Sequence, residues 1–553
     1  MLGFHILEAL DDTEPRWGMV RLSSWSSYPD DQRTWIAHLP PLPADEAMAR
    51  LEALRRSERG TASLWGTLRR RLGRARRPEV QLPERRGCRE HFLSLVTTAE
   101  DFLAGRSLTD QQLVQLLRQQ GVWPAEADAA LDYGGMYGHW EFVEGIRRLP
   151  WQSWVCQRCG SQRVRQVPCA RCGRDGCPMC LDCQQLGMIR ACSRLLQRPH
   201  PLEPPKSVAV QLEFPLTAAQ QNASQFLVDF LAASEQKALV WAACGAGKTE
   251  TVFAAMAKVL RRGGSVLFAI PRRDVVVELQ SRLKAAFPGV KQLVLYGGQP
   301  WQETAPLTAA TTHQVLRYYK RFDLVVLDEV DAFPYHGSEV LRHGLERALK
   351  DDGKWIEMTA TPVTWPVKQP STTIPARYHG HPLPVPELLR WQMGPAVDKT
   401  FSVPAQLCDG LRAGQPWLVF VPKRQLCEAV AQWLRVHLGL AAGFCHSQSG
   451  QRQQLLQELH SGRLSCLVAT TVLERGITVP DVQVAVLWAD HAVFSDRSLT
   501  QMAGRVGRKA DNPSGSVFFV AKSFSQAMKD SVAAIRYLNR RAAENGLLKE
   551  GVS

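Results

Sequence analysis

Short runs of apolar residues recur along the second half of the chain, and helical patterns separate them. ALVWAA, SVLFAI, LVVLD and WIEMT are four such runs, and DVVVELQSRLKAAF between two of them repeats apolar positions at helical spacing. Because a strand buried on both faces needs no polar side chains, apolar runs that alternate with helices predict a parallel sheet in an α/β domain. The pattern restarts at WLVFVP and continues through SCLVAT, QVAVLW and SVFFVA. The sequence therefore predicts two tandem parallel-sheet lobes, over 201–395 and 396–553.

The region before the lobes divides into two parts. Residues 1–150 form a mixed accessory region with a dense run of arginines, TLRRRLGRARRPEVQLPERR, which is either a solvated basic segment or a nucleic-acid contact. LTDQQLVQLLRQQG predicts a helix that begins near Ser107 or Thr109 and ends at Gly121. Residues 151–200 form a cysteine-rich module, and QRPHPLEPPK is the linker to the first lobe.

The charge of the chain favours a polyanionic partner. Lys and Arg total 67 against 53 Asp and Glu, a net charge of +14 over 553 residues. Nucleic acid fits this excess best, and an anionic membrane surface is the second choice. The sequence begins without a basic, apolar leader and has no apolar run of about eighteen residues, so we expect a cytoplasmic protein without a spanning helix. In that compartment the 14 cysteines are not expected to form disulfides; the clustered ones are expected to bind metal, and the six isolated ones to be ordinary packing or loop residues.

A glycine-containing loop follows ALVWAA and precedes the helical pattern TETVFAAMAKVL. The backbone amides of Gly245, Ala246 and Gly247 would curl around the phosphates of ATP, and the helix N-terminus would add its positive end. Lys248 would neutralise phosphate charge, and the Thr249 hydroxyl would bind Mg²⁺. Strand, loop and helix in this order predict a P-loop.

Two acids follow the apolar run LVVLD. Because ligands of parallel sheets bind at the carboxyl ends of the strands, Asp328 and Glu329 are expected beside the loop. Asp328 would hold Mg²⁺, directly or through water, and Glu329 would orient and deprotonate the attacking water.

The second lobe narrows the class of ATPase. TAT at Thr359–Thr361, ATTVLERGITVPDVQV and QMAGRVGR resemble, in order and spacing, the motifs of superfamily-2 helicases over roughly residues 210–525. The resemblance implies that both lobes have the RecA-like fold. It also implies that Arg505 and Arg508 reach the γ-phosphate across the cleft, at least one as an arginine finger, and that Gln501 positions water or phosphate.

The same resemblance assigns three further roles. Gln220, in LTAAQ, would read the adenine of ATP, and Thr359 and Thr361 would link the nucleotide state to lobe movement. A face away from the ATP site would contact the sugar–phosphate backbone without reading bases. Its candidate residues are Arg272, Gly297, Gly298, Thr312, Thr470 and Thr471.

Eight cysteines occur at metal-ligand spacing in the cysteine-rich module. C-x-x-C pairs of this kind build tetrahedral zinc sites, and eight thiols suffice for two ions. We favour one set of Cys156, Cys159, Cys180 and Cys183, and a second of Cys169, Cys172, Cys177 and Cys192, although sequential pairing and an iron–sulfur cluster are alternatives. Seven aromatic and basic residues surround the sets, either as nucleic-acid contacts or as the core of a small domain: Trp151, Trp154, Arg158, Arg163, Arg165, Arg171 and Arg174.

A more specific resemblance comes from WAACGAGKTE, AIPRRDVVVEL, LYGG, TTHQVLRY, LDEVDAFPY, IPARYHGHPLPVP and TTVLERGITVP. Together they look like the ComFA family of bacterial competence ATPases, which places a four-cysteine zinc module before the helicase core. The resemblance implies a single-stranded DNA translocase that serves DNA uptake at the inner face of the cell membrane, with a membrane channel and other competence proteins as partners. Four of the eight cysteines and residues 1–150 exceed the family's minimal pattern, and nothing in the sequence sets the oligomeric state.

Two other functions fit parts of the sequence. A PriA-like replication-restart helicase also combines zinc with two RecA-like lobes, but its zinc module follows the first lobe. A non-enzymatic zinc-dependent DNA clamp would tolerate loss of the ATPase residues, all of which this chain retains.

Overall fold

The computed structural model describes three short strands near the N-terminus and residues 86–549, except 123, 151–152, 300–303, 362–368, 393 and 475–478. The three strands, β1 (Phe4–Leu10), β2 (Arg16–Arg21) and β3 (Thr34–Ala37), form an antiparallel sheet in the order β2-β1-β3. Most of the arginine-rich run lies outside the described residues. Among the described helices, none is long and apolar enough to span a bilayer.

Residues 86–198 form one domain, whose helices pack on an antiparallel sheet in the order β4-β10-β5. The elements in chain order are α1 (Arg86–Leu103), β4 (Arg106–Thr109), α2 (Asp110–Gln119), α3 (Pro124–Met136), β5 (Glu141–Glu144), β6 (Ile146–Arg148), β7 (Trp154–Cys156), β8 (Val164–Val167), β9 (Cys177–Cys180) and β10 (Arg194–Arg198). The hairpins β6-β7 and β8-β9 carry the cysteines between β5 and β10.

The helix predicted in this domain is confirmed as α2. Thr109 is its N-cap and forms a capping box with Gln112, which satisfies amides that a helix start otherwise leaves unpaired. Gly121 follows the helix end with a φ of 84°, a conformation that glycine adopts without strain.

The domain boundary expected at residue 150 does not separate two units. β10 lies beyond the cysteines yet pairs with both β4 and β5. Its Leu196 is fully buried among the helices of the accessory region. The change in composition shows where the cysteine-rich segment begins. The apolar core, however, is built from residues that precede this segment and residues that follow it.

The first lobe is a seven-stranded parallel sheet in the order β13-β14-β12-β15-β16-β11-β17. Its elements in chain order are α4 (Ala218–Phe230), β11 (Lys237–Ala242), α5 (Lys248–Thr251), α6 (Phe253–Arg261), β12 (Val266–Ile270), α7 (Arg273–Ala286), β13 (Gln292–Leu295), β14 (Leu307–Thr311), β15 (Phe322–Asp328), α8 (Glu339–Ala348), β16 (Leu349–Thr359) and β17 (Ser371–Ile374). A 3-10 turn, Thr312–Arg317, follows β14.

The second lobe is a six-stranded parallel sheet in the order β18-β23-β22-β19-β21-β20. Its elements are β18 (Glu387–Arg390), α9 (Ala405–Arg412), β19 (Trp417–Phe420), α10 (Arg424–Leu438), β20 (Ala442–Cys445), α11 (Arg452–His460), β21 (Cys466–Ala469), β22 (Gln483–Leu487), α12 (Asp496–Ala503), β23 (Val517–Ala521) and α13 (Gln526–Glu544). The predicted pair of parallel-sheet, RecA-like lobes is confirmed.

The chain passes from one lobe to the other earlier than residue 395. β17 belongs to the first sheet and β18 to the second, so the crossing segment is 375–386. β18 is an edge strand that pairs only with β23 among the described strands, and its ends are exposed. Its sequence ELLR lacks the apolar run that marked the central strands.

The two lobes share one continuous apolar core. The indole of Trp241, in β11 of the first lobe, stacks on Tyr537, in α13 of the second, with 5.3 Å between ring centres and 3° between their planes. Beside the stack, Cys244 and Ala360 from the first lobe face Ile535 and Leu538 from the second. This contact fixes the lobes against each other at the side of the cleft that holds the nucleotide loop.

Candidate nucleotide site and metal clusters

The loop between β11 and α5 has the geometry that a phosphate site requires. Gly245 and Gly247 have φ values of 82° and 69°, and the amide of Ala246 donates to the carbonyl of Ala243 at 3.0 Å. A Cβ atom on Gly247 would lie 2.4 Å from Nε2 of Gln220, so a larger residue here would displace Gln220 and would strain the backbone at this positive φ. The chain thus curls back on itself at the N-terminus of a helix, where backbone amides collect around an anion.

Lys248 and Asp328 form an ion pair at the carboxyl edge of the first sheet. Nζ of Lys248 lies 2.9 Å from Oδ1 of Asp328. Burial alone would lower the pKa of Lys248, but the neighbouring carboxylates of Asp328 and Glu329 outweigh it and raise the pKa. Lys248 is therefore a cation at neutral pH. It would be available to a phosphate group if Asp328 bound Mg²⁺, and the buried Thr249 follows it in α5.

Glu329 occupies an unusual backbone conformation. Its φ is 56°, in the left-handed region that residues with a Cβ seldom adopt, and its amide donates to Oδ1 of Asp328 at 2.7 Å. A strained residue at the end of a central strand is typical of functional sites. This turn directs Glu329 away from the strand direction and next to the expected Mg²⁺ ligand.

Thr359 and Thr361 meet at a carboxylate to which the sequence analysis assigned no role. The hydroxyl of Thr359 lies 3.0 Å from Oδ1 of Asp331, and the hydroxyl of Thr361 lies 3.0 Å from Oδ2. All three side chains are buried. Asp331 stands in the quoted motif LDEVDAFPY, and its position two residues after Glu329 was the available signal.

Gln220 lies at the loop but uses its amide on protein groups. Its Oε1 accepts from the amide of Thr217 at 2.8 Å, and its Nε2 donates to the carbonyl of Ala246 at 2.8 Å. The side chain is 5% exposed. In this conformation Gln220 therefore braces the phosphate loop, and the adenine-reading role stays a prediction.

The second lobe brings its motif to the same loop. Gln501 is buried, and its Oε1 accepts from the Cys244 thiol at 3.7 Å. A Cβ on Gly245 would lie 3.9 Å from Cγ of Arg508, whose Nε donates to the carbonyl of Gly504 at 3.0 Å. Arg505 is buried and donates through Nε to the carbonyl of Glu474 at 3.1 Å. The structure thus places Gln501 and Arg508 against the phosphate loop.

The candidate nucleic-acid residues fall into three groups. Arg272 of the first lobe forms an ion pair with Glu474 of the second lobe, with 3.0 Å between Nη2 and Oε1, so the two lobes are in contact at this position. Gly297 and Gly298 are exposed, and Thr470 and Thr471 are partly exposed. Thr312, in contrast, is fully buried in the 3-10 turn, so its side chain does not reach the surface in this conformation.

The eight clustered cysteines meet in two sets of four. Within each set the sulfur atoms lie within 4.8 Å of one another, and the sets are those favoured from the spacing: Cys156, Cys159, Cys180 and Cys183, and Cys169, Cys172, Cys177 and Cys192. Four convergent thiols with no other ligand type suit tetrahedral Zn²⁺. In the first set, the neighbouring thiol of Cys156 lowers the pKa of Cys180 to about 7, which favours the thiolate that a metal binds.

The residues around the clusters differ in role. Arg158 is buried, with Nε 3.4 Å from the sulfur of Cys183, and Arg171 pairs with Asp110 of α2. Arg163, Arg165 and Arg174 are exposed, Trp154 is partly exposed under Arg148, and Trp151 lies outside the described residues. Cys244, which belongs to neither set, is buried, and its thiol contacts Gln501 across the lobe interface.

Three family models match this chain. Residues 98–197 match the competence protein ComFA N-terminal domain, residues 213–364 the type III restriction enzyme res subunit, and residues 402–510 the helicase conserved C-terminal domain. Among solved structures, the chain is similar to RecG bound to a three-way DNA junction, with 18% identity, a TM-score of 0.43 and 63% of this chain and 51% of that chain covered. The matched domains and the two-lobed site define a DNA-dependent ATPase of superfamily 2, which uses ATP and Mg²⁺.

Two relatives identify the family. Competence protein ComFA of Bacillus subtilis is 33% identical over 408 residues, 70% of this chain and 86% of the relative. Competence protein ComFA of Streptococcus pneumoniae is 33% identical over 402 residues, 70% of this chain and 90% of the relative. The chain belongs to the ComFA family of competence proteins and is a helicase-like DNA motor of that family.

Proposed function

We propose that the protein is an ATP-driven translocase of single-stranded DNA that pulls DNA across the cell membrane during natural competence. The observation that carries this proposal is that one nucleotide site draws residues from both lobes. Lys248 and Asp328 come from the first lobe, and Gln501 and Arg508 come from the second. Because ATP would contact both, its binding and hydrolysis change how the lobes are held, which is the basis of directed movement along a strand.

Two sets of side-chain contacts, one within the first lobe and one between the lobes, support the same proposal. Asp331 connects the turn that carries Glu329 to Thr359 and Thr361, so a change at the hydrolytic acids reaches the end of β16. Arg272 and Glu474 connect the two lobes, and the glycines Gly297 and Gly298 are exposed. Hydrolysis and strand contact would be coupled through these groups, with Arg272, Gly297, Gly298, Thr470 and Thr471 nearest the strand.

Family membership supports the cellular setting of the proposal. The protein would act from the cytoplasm, peripherally at the inner face of the membrane, together with a DNA-uptake channel and other competence proteins. Its two cysteine sets would each hold one Zn²⁺. No unwinding wedge is recognisable in the sequence, so the motor should translocate on single strands and separate long blunt duplexes poorly.

The first test is ATP hydrolysis with and without single-stranded DNA, for wild type and Lys248→Ala. We expect strong stimulation by DNA in wild type and loss of nearly all hydrolysis in Lys248→Ala, because the phosphates lose the cation that neutralises their charge. Lys258→Ala, an exposed lysine in α6, is the matched control and should behave as wild type. Hydrolysis indifferent to DNA, or unaffected by the loss of Lys248, would contradict the motor and favour a zinc-dependent clamp.

A second measurement separates translocation from unwinding. Streptavidin bound to a biotinylated single strand should be displaced in an ATP-dependent manner, whereas a long blunt duplex should remain paired. Processive unwinding of the duplex would favour a helicase of replication restart.

A further inference from the structure

A buried arginine in the crossing segment joins the two halves of the nucleotide site. Arg377 is 2% exposed, and its Nε donates to the carbonyl of Cys244 in the phosphate loop at 2.9 Å. Its Nη1 donates to the carbonyl of Val506 at 2.8 Å and to that of Gly507, and its Nη2 donates to that of Gly504 at 3.3 Å. A single planar group thus holds the loop of one lobe and the turn of the other.

The turn that Arg377 holds is the one that carries the candidate arginine finger. Gly507 directly precedes Arg508 and has a φ of 67°, and a Cβ on it would lie 2.2 Å from the carbonyl of Pro513. Nε2 of His379 donates to the same Gly507 carbonyl at 3.1 Å. Because Arg377 and His379 both donate to the carbonyl of Gly507 and no side chain fits beside it, the backbone of Gly507 fixes the direction in which the next side chain leaves the chain.

The charge of Arg377 also bears on the site. Burial lowers the pKa of its guanidinium to about 10, so it remains a cation at neutral pH. Its four hydrogen bonds are all accepted by neutral carbonyls, which leaves the positive charge uncompensated by a carboxylate among these partners. A Cβ on Gly245 would lie 3.7 Å from its Nε, so the charge adds to a field that favours a polyphosphate.

We propose that Arg377 is a positioning residue for ATP hydrolysis, which sets the place of Arg508 relative to the phosphate loop. It touches backbone only and acts through Arg508 and the loop. Since a displacement of about 1 Å at a reacting group can cost on the order of 100-fold in rate, loosening this link should lower kcat more than it weakens nucleotide binding. The inference rests on the ATPase class of the protein and stands whether or not the motor translocates.

The test compares Arg377→Lys and Arg377→Met in DNA-stimulated ATP hydrolysis, with KM and kcat determined separately. Arg377→Met should lower kcat at least about 10-fold with KM within about 3-fold, and Arg377→Lys, which keeps the charge but not the four-way bridge, should fall between it and wild type. Binding of a fluorescent ATP analogue should remain within about 3-fold of wild type in both variants.

Arg321→Met is the matched control. Arg321 is also fully buried and donates to carbonyls, those of Ala104 and Ala305, which belong neither to the phosphate loop nor to the Arg508 turn. Its variant should lose thermal stability but retain kcat per folded molecule. A kcat of Arg377→Met within about 2-fold of wild type, or a loss no greater than that of Arg321→Met at equal fractions folded, would overturn the proposal. If Arg377→Met does not fold, a kcat of Arg377→Lys equal to that of wild type within experimental error would overturn the proposal.

Discussion

Two threonine hydroxyls converge on the carboxylate of Asp331, two residues beyond Glu329, the candidate catalytic base. Each hydroxyl lies 3.0 Å from one oxygen, and the whole group is buried. Hydrogen bonds to a charged group contribute about 1.5–3 kcal/mol, and removal of a buried partner costs more than its exchange for a similar one. These contacts hold the turn after Glu329 to the end of β16.

Removal of one hydroxyl should separate hydrolysis from movement. Thr359→Val keeps the shape of the side chain but not the bond to Asp331, and we expect DNA-stimulated hydrolysis within about 3-fold of wild type with translocation per ATP reduced roughly 10-fold. The readout is streptavidin displacement divided by ATP consumed. Thr359→Ser, which keeps the hydroxyl, should remain close to wild type, and equal coupling ratios in the two variants would contradict the role.

At the scale of elements, the first cysteine set lies against the first lobe. Cys156 and Cys183 share one buried apolar cluster with Leu316 of the 3-10 turn and Leu341 of α8. A Cβ on Gly160, next to Cys159, would lie 2.8 Å from the ring of His343. The second set is tied instead to α2 through Arg171 and Asp110. The two sets therefore support different neighbours.

Separate loss of the two sets should have separate consequences. Cys159→Ser and Cys172→Ser should each reduce bound zinc from about two ions per chain to about one, measured by elemental analysis. Cys159→Ser should also lower the unfolding temperature of the first lobe and its stimulation by DNA, because the 3-10 turn loses its support. Cys408→Ser, outside both sets, should keep both ions. A single ion in the wild-type protein would contradict the two-site arrangement.

The elements show where sequence patterns suffice and where they do not. The eight apolar runs were found as strands because burial on both faces leaves a continuous signal. β17 (STTI) and β18 (ELLR) lie at sheet edges, where half-polar sequences carry no such signal, and the lobe boundary was misplaced with them. The phosphate loop and the cysteine sets could be predicted because residues two or three positions apart in the sequence must also lie close in space, and the structure brings each set of four cysteines together.

Long-range backbone contacts explain what the sequence could not provide. Arg377 donates hydrogen bonds to backbone carbonyls 127 to 133 positions away in the sequence. Because every residue has a backbone carbonyl, the residue types at those positions do not reveal these contacts. Asp331, Thr359 and Thr361 all stand in motifs of the sequence, but the contact of both threonines with Asp331 could not be predicted from it. The burial of Thr312 likewise depends on the packing of the 3-10 turn rather than on its motif.

For the whole molecule, the decisive feature is the apolar contact between the lobes. Trp241 and Tyr537 stack from opposite lobes, and the surrounding buried side chains form one cluster that includes residues of both sheets. Aromatic stacking contributes about 0.5–1.5 kcal/mol beyond the burial of area. Because apolar side chains of both lobes are buried in this one cluster, the lobes should unfold together rather than in turn.

Loss of the stack should weaken both lobes at once. Tyr537→Ala removes a half-buried ring, and we expect the unfolding free energy of the lobes to fall by about 2–3 kcal/mol, with the single thermal transition broadening or splitting. Tyr537→Phe keeps the ring and should stay within about 1 kcal/mol of wild type. Calorimetry of both variants measures these changes in unfolding free energy and in the shape of the transition. Two separate transitions in the wild-type protein would argue against a shared core.

A contact of this kind also restricts how the motor can step. Two bodies whose apolar contact lies at one edge turn about that edge more readily than they slide or separate, so the edge behaves as a hinge, and polar contacts elsewhere, such as Arg272–Glu474, can break and re-form. The travel gained at any point then grows with its distance from Trp241 and Tyr537. Groups beside the hinge, such as the phosphate loop, need move only a little for a strand held at the far rim to advance much further.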